Sequence, residues 1–240
     1  MSEPSTHPAL QRPSRSLHGK VAIVTGAGAI PGGIGNGRAA AVLLAEDGCA
    51  VICVDLDHSL AQETVDMIEK DNIGTGTAVS ADVTKAEDCQ RVVDLATSKY
   101  GRLDILVNNV GIMGPKGTAV EVDMAAFMTG LEINVASMVQ MAKYAIPAMI
   151  RNKGEHIYGM VYTPMIYGGQ GLSDSERNAR RSRSLLQTEG NGWDVGCAVR
   201  YLASDLSRWV TGVALPVDAG TTAATGIGMQ GLHDSTMQVS

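Results

Sequence analysis

Absences narrow the reading first. No apolar run in the chain approaches the roughly 18–20 residues that a membrane-spanning helix needs, so no transmembrane segment is expected. Aromatic residues are scarce, 4% of 240 positions with a single Phe, which argues against a β-sandwich or an aromatic stacking platform. Positive charge is also in deficit: 19 Lys and Arg stand against 25 Asp and Glu, for a net charge of −6, so nucleic acid is not expected as a partner. The four cysteines (Cys49, Cys53, Cys89, Cys197) include no CxxC pair and no clustered histidines accompany them. That excludes a structural metal site and fits free thiols in a reducing, cytoplasmic setting. Residues 1–17 hold no apolar stretch, so a secretory leader is not expected there, and their Ser/Pro-rich composition reads as a polar tail without fixed structure. No internal repeat marks a second domain, and 240 residues suit one domain with a sizeable core.

Glycine, by contrast, is plentiful at 28 residues, as expected of an α/β chain with many tight turns. Residues 21–25 (VAIVT) form a short β-branched run, the pattern of a strand buried on both faces. A glycine-rich loop follows to Gly37, then helical apolar spacing over 38–46, with Gly48 placed to end the helix. Residues 50–54 read as a second buried strand ending at Asp55. Capping-box patterns at 59–62 and 84–87 predict the starts of two more helices, the second ending near Gly101. Strands are expected at 77–81 and 103–107, and a long helix from Met124 to Asn152. Strands alternating with helices in this rhythm define βαβ units and a parallel sheet with right-handed crossovers.

The first strand runs directly into Gly26-Ala27-Gly28-Ala29-Ile30-Pro31-Gly32-Gly33-Ile34-Gly35. Glycines there let a backbone approach a pyrophosphate closely. The helix that follows directs its free N–H groups and positive dipole end at that charge. Asp55 falls 20 residues after Gly35, at the tip of the second strand. A carboxylate at that point can accept both ribose hydroxyls of NAD and repels the 2′-phosphate of NADP. Asp57 competes for the same role.

These residues resemble the short-chain dehydrogenase/reductase family. Thr25-Gly26 with Gly33-Ile34-Gly35 is similar to its TGxxxGxG loop, with extra residues at 29–32. Asp82-Val83 resembles the family pair that contacts adenine. Asn108-Asn109-Val110-Gly111 resembles its NNAG motif, and Asn134 the helix asparagine that holds a proton-relay water. Tyr162-Thr163-Pro164-Met165 resembles the segment that closes over the nicotinamide. Further matches at 193–195, 202–205, 211–212 and 217–220 extend the resemblance over roughly residues 18–225, with 226–240 left as a polar C-terminal extension. The resemblance implies a single Rossmann-like, doubly wound parallel sheet. It implies Gly26, Gly28, Gly33, Ile34, Gly35, Asp55, Asp82, Val83, Asn109, Gly111 and Thr163 as cofactor-binding residues, Asn134 as a catalytic one, and no metal.

One family signature is missing. The family places a Ser at the end of its fifth strand and Tyr-x-x-x-Lys on the next helix. A tyrosine of ordinary pKa, ~10, is a poor base at neutral pH; a lysine one turn away lowers that pKa. Here the six tyrosines are followed four positions later by Asp104, Ala148, Tyr162, Ile166, Gly171 and Asp205, and the chain has no lysine after Lys153. Nine residues separate Asn152 from Tyr162, where a βαβ unit needs about 30 or more. The fold is therefore expected to lack about one strand–helix unit there, with 153–155 reading as the approach to a fifth strand and 156–161 as the exit of a sixth. Tyr158, Tyr162, Tyr167 and the Lys143–Tyr144 neighbours offer no replacement pair. The arginines at 177, 180, 181 and 183 read as a solvated helix face, with contact to an acidic substrate or the cofactor phosphates as the alternative.

Three functions remain open on the sequence. One is an NAD(P)-dependent oxidoreductase that interconverts a secondary alcohol and a ketone on a small organic substrate, with NAD favoured over NADP. Another is a nucleotide-binding pseudoenzyme. The third is a deletion form of a longer, active enzyme. The family's usual homo-oligomer is expected only weakly, because it depends on the missing helix.

Overall fold

The computed structural model describes residues 13–70, 74–151, 156–158, 173–182, 184, 186, 188 and 190–221. Among the described residues, five strands form one sheet: β1 (Val21–Thr25), β2 (Ala50–Asp55), β3 (Thr75–Ser80), β4 (Ile105–Val107) and β5 (His156–Tyr158). Their order is β3-β2-β1-β4-β5 and every pairing is parallel. The order reverses between β2-β1 and β1-β4, which opens a crevice at the carboxyl ends of β1 and β4, the usual ligand position in such sheets. Seven α-helices accompany the strands among the described residues: α1 (Asn36–Glu46), α2 (His58–Lys70), α3 (Ala86–Tyr100), α4 (Met124–Leu131), α5 (Ser137–Arg151), α6 (Asp174–Arg181) and α7 (Gly192–Ala203).

Side chains alternate across the sheet. Ala22, Val24, Val51 and Cys53 face a core closed by α1, α2 and α7 through Leu44, Val65 and Val199. Val21, Ile23, Ile52 and Val54 face a second core, closed by α3 and α5 through Val92, Met141 and Met149. β1, β2 and β4 are thus buried on both sides, as their apolar runs require, whereas the edge strand β3 is only partly buried. The sheet is doubly wound. Packing of the N-terminal stretch begins at Leu17, which is fully buried and whose N–H donates to Asp47 O (2.7 Å).

Several boundaries differ from the sequence expectation for local reasons. α1 starts at Asn36, two residues before Arg38. α2 starts at His58 because Asp57 accepts from Ser59 N and Ser59 Oγ (2.8 and 2.7 Å), so Asp57 and not Ser59 caps it. The box expected at 84–87 is replaced by a linked pair. Asp82 accepts from Thr84 N and Thr84 Oγ1, while Asp88 accepts from Asp82 N. The long helix expected to Asn152 is interrupted by a π-helical turn at Glu132–Ala136. Residues 156–158, read as the exit of a sixth strand, stand in the fifth place, with Leu106 in register with Ile157.

The apolar surface left bare lies off the sheet. Met124, Phe127, Met128, Leu131, Val135 and Val139 form an exposed stripe along α4, the π turn and α5. Residues 208–217 are exposed throughout, and Trp209 is 94% exposed.

The thiols give a direct check on the packing. Cys49, Cys53 and Cys89 are buried, whereas Cys197 is exposed. Burial pushes the Cys53 thiol up to about 12 and the Cys89 thiol up to about 11, and it raises Cys49 further still. Burial thus disfavours the thiolate at these three sites, and the thiolate is the reactive species. Of these four thiols, only Cys197 is expected to react rapidly with a thiol reagent in the native chain. All four should react in denaturant, and fast reaction of two or more in the native state would contradict this packing.

Candidate cofactor site

The site grows from the carboxyl end of β1. Thr25 is the last strand residue, and its hydroxyl reaches across to β4: Oγ1 donates to Val107 O (3.3 Å) and accepts from Asn109 N (3.1 Å). Asn109 in turn donates from Nδ2 to Gly26 O (2.9 Å). The two loops that flank the crevice are therefore tied to each other as well as to the sheet. The remaining polar atom of this asparagine, Oδ1, is buried and has no partner. A buried acceptor without a donor is costly, about 1–3 kcal/mol. Its position between the glycine loop and the residues after β4 fits a group that arrives from outside with a donor.

Asp55, at the tip of β2, is fixed from two sides. Its Oδ2 accepts from Gly28 N (2.9 Å) and its Oδ1 from Asp57 N (3.2 Å). It thus stands against the glycine loop, while Asp57 is spent on capping α2 and its carboxyl is held below the usual range by the Ser59 hydroxyl. Of the two carboxylates, Asp55 is the one held against the glycine loop.

The loop itself contains an inserted turn. Gly33 N donates to Ile30 O (2.8 Å), and Gly32 has φ +72° after Pro31. Proline followed by a positive-φ glycine is the signature of a type II turn. The turn falls among the extra residues at 29–32. Ile30 at the turn is 60% exposed. Gly35 is the N-cap of α1, in extended conformation, so the loop leads straight into the N-terminus of that helix.

Around the rest of the crevice, Val83 is buried and Asp82 holds the turn before α3. Asn134 lies in the π turn, where Oδ1 accepts from Ile112 N (2.7 Å) and Nδ2 donates to Ile112 O (2.9 Å). Its amide therefore staples residues 111–112 to the long helix, and Gly111 passes beside it. π turns of this kind are frequent at functional sites. Thr163, with Tyr162 and Tyr167, lies outside the described residues. Gly26, Gly28, Gly33, Ile34, Gly35, Asp55, Asp82, Val83, Asn109 and Gly111 line the loops at the carboxyl ends of the strands β1, β2, β3 and β4. Among the described residues, no group of three His, Cys, Asp or Glu could hold a metal ion.

Two residues of this region carry no sequence motif and were not anticipated as part of it. Arg38 and Thr64 are buried beneath the glycine loop. Arg38 Nε donates to Thr64 Oγ1 (3.0 Å), and Thr64 Oγ1 donates to Ala27 O (2.7 Å). The available signal was a lone arginine opening the apolar helical run 39–45.

The short chain dehydrogenase family model matches residues 20–160, and the enoyl-(acyl carrier protein) reductase model matches 157–222. The borneol dehydrogenase of Lavandula x intermedia is 31% identical, over 92% of this chain and 98% of that one. The 7α-hydroxysteroid dehydrogenase of Escherichia coli strain K12 is 37% identical over 58% of this chain, a match that spans only about half (51%) of that enzyme. A solved structure of a 7α-hydroxysteroid dehydrogenase with NADH and 7-oxoglycochenodeoxycholic acid superposes with a TM-score of 0.74 at 25% identity, covering 86% of this chain and 95% of that one. The chain belongs to the short-chain dehydrogenase/reductase family, a family of oxidoreductases built on a Rossmann-like sheet. The alignment to the lavender enzyme has 265 positions, while 92% of 240 residues is about 221. About 44 aligned positions therefore have no residue in this chain, roughly the size of one strand–helix unit.

Proposed function

We propose that this chain carries the cofactor half of an NAD-dependent oxidoreductase that interconverts a secondary alcohol and a ketone on a small organic substrate. The observation that supports this best is the pairing of Asp55 with the glycine loop beside the partnerless Asn109 Oδ1. Gly26, Gly28 and Gly33–Gly35 would take the pyrophosphate at the N-terminus of α1. Asp55 would accept the ribose hydroxyls, Asp82 and Val83 would flank the adenine, and Asn109 and Gly111 would line the wall beside β4. Thr163 is assigned to the nicotinamide side on resemblance alone. When bound, NAD supplies the hydride acceptor of the reaction. Asn134 acts through position: its hold on Ile112 fixes the wall on which a proton relay would stand.

A second reading has its own support. The absent Tyr-x-x-x-Lys and the 44 unmatched positions favour a form that binds the cofactor without turning over alcohols, either a pseudoenzyme or a deletion form of a longer enzyme. Sequencing the transcript across the codons for Gly154–His156 separates the last of these from the others.

Titration with NADH and NADPH, followed by fluorescence, tests the cofactor reading. NADH should bind more tightly than NADPH. Replacing a carboxylate that accepts charge-assisted hydrogen bonds removes about 1.5–3 kcal/mol. Asp55→Ser is therefore expected to weaken NADH roughly ten- to hundredfold and to reverse or erase the preference. Tighter binding of NADPH by the unaltered chain would sink the assignment of Asp55.

A further inference from the structure

The geometry points to Arg38 as a positioning residue for the cofactor: a buried clamp that holds the inserted turn of the glycine loop and sets which way that loop's N–H groups face. The inference rests on the cofactor reading above and adds a residue and a cause to it. The Arg38 side chain is 3% exposed, so it is not a solvent-facing phosphate ligand. Its guanidinium is spent on five acceptors. Nη1 donates to Gly33 O (2.9 Å), while Nη2 donates to Ala29 O (3.3 Å), Leu60 O (3.3 Å) and Glu63 Oε2 (2.9 Å). Nε donates to Thr64 Oγ1, which passes the hold on to Ala27 O.

Two of these acceptors, Ala29 O and Gly33 O, stand on either side of the Ile30–Gly33 turn. The other three belong to α2. Arg38 thus closes the base of the insertion and fastens it to the neighbouring helix. Each peptide unit is planar and trans, so a carbonyl drawn towards Arg38 turns the next N–H the opposite way. Holding Ala29 O and Gly33 O in this manner points the N–H groups of Ile30 and Ile34 away from the clamp. The same logic applies to Ala27 O and Gly28 N, and Gly28 N is found on Asp55. A loop without the insertion has no turn to close, so the part of the fork that holds Ala29 O and Gly33 O is needed only where the extra residues are present. Lysine cannot replace that fork, because a single ammonium does not reach both sides of the turn at once.

The test is a double-substitution cycle. Four proteins are compared for NADH affinity by fluorescence and for a melting transition: the unaltered chain, Arg38→Met, a chain lacking residues 30–32, and that shortened chain with Arg38→Met. Amide exchange over residues 26–37 in the cofactor-free proteins gives a readout independent of binding. Arg38→Met in the full loop is expected to weaken NADH at least tenfold and to speed exchange across the loop. In the shortened loop the same substitution should change affinity less than threefold. Arg38→Lys in the full loop should recover part of the loss. A full-loop Arg38→Met protein that fails to melt cooperatively, while its shortened counterpart does, also supports the clamp. Equal losses in both backgrounds, no loss in the first, or failure of both to fold overturns it. If the unaltered chain does not bind NADH, the cofactor reading itself fails and the proposal falls with it; if it binds and Arg38→Met binds equally well, only the clamp is wrong.

Discussion

Insertion of a strand–helix segment carrying Ser and Tyr-x-x-x-Lys between Gly154 and His156 is expected to raise NADH-dependent ketone reduction by about 10²–10⁴-fold, the range that a positioned general acid contributes. The expectation rests on a division of labour within the sheet. The proposed cofactor contacts stand on loops after β1, β2, β3 and β4, and β1, β2 and β4 are packed on both faces. The missing piece adds to the β5 side. NADH affinity should therefore change less than about threefold, well under the 1.4 kcal/mol that a tenfold change represents. The inserted tyrosine changed to Phe should remove the gain while leaving binding intact. A folded insertion protein without any gain would refute the assignment of the missing unit. Turnover of the unaltered chain that survives Tyr158→Phe, Tyr162→Phe and Tyr167→Phe would show that proton transfer runs through another group.

The insertion should also act on stability. The exposed stripe Met124–Val139 and the exposed segment 208–217 together present many large apolar side chains to water. Burying one such side chain is worth about 1.5–3 kcal/mol, and the net stability of a domain is about 5–15 kcal/mol. Covering only a few of them is therefore a large change.

What could be read from the sequence follows from how local each signal is. β1 and β2 are unbroken β-branched runs, and the structure places them within a residue of expectation. Gly48 and Gly101 mark helix ends because positive φ is a property of single residues. Helix starts were harder. Asp57, Ser59, Asp82 and Thr84 all carry capping side chains at neighbouring positions, and only three-dimensional geometry chooses among them. The π turn at Glu132–Ala136 leaves no periodicity signal, because it shifts a long helix by one residue. It is held by Asn134 reaching a loop 22 positions away in sequence. Arg38 was invisible for a related reason: three of its five acceptors are backbone carbonyls, which no side-chain pattern records.

Gly37→Ala is expected to destabilise the chain by about 3 kcal/mol and to abolish measurable NADH binding. The substitution has a favourable side, since Ala is a better helix former than Gly by about 1 kcal/mol, and Gly37 is the second residue of α1. Space decides the sign. A Cβ at Gly37 would lie 2.1 Å from Gly26 O and 2.5 Å from Asn109 Nδ2. Both neighbours are held, Asn109 by Thr25 and Gly26 itself, and Gly26 joins β1, whose side chains are fully packed. Relief requires α1 to lift from the end of β1, and overpacking of this kind costs about 1–3 kcal/mol, occasionally more. For a chain of this length that corresponds to a fall in Tm of about 6–12 °C. Gly101→Ala is the control. Gly101 has φ +78° but nothing within 4 Å of its Cβ position, so only backbone strain of about 1–2 kcal/mol applies. It lies at the end of α3, opposite the crevice, and its effect on NADH affinity should be negligible. A Gly37→Ala protein that melts within about 2 °C of the unaltered chain would mean that α1 does not press on the loop as closely as the structure places it.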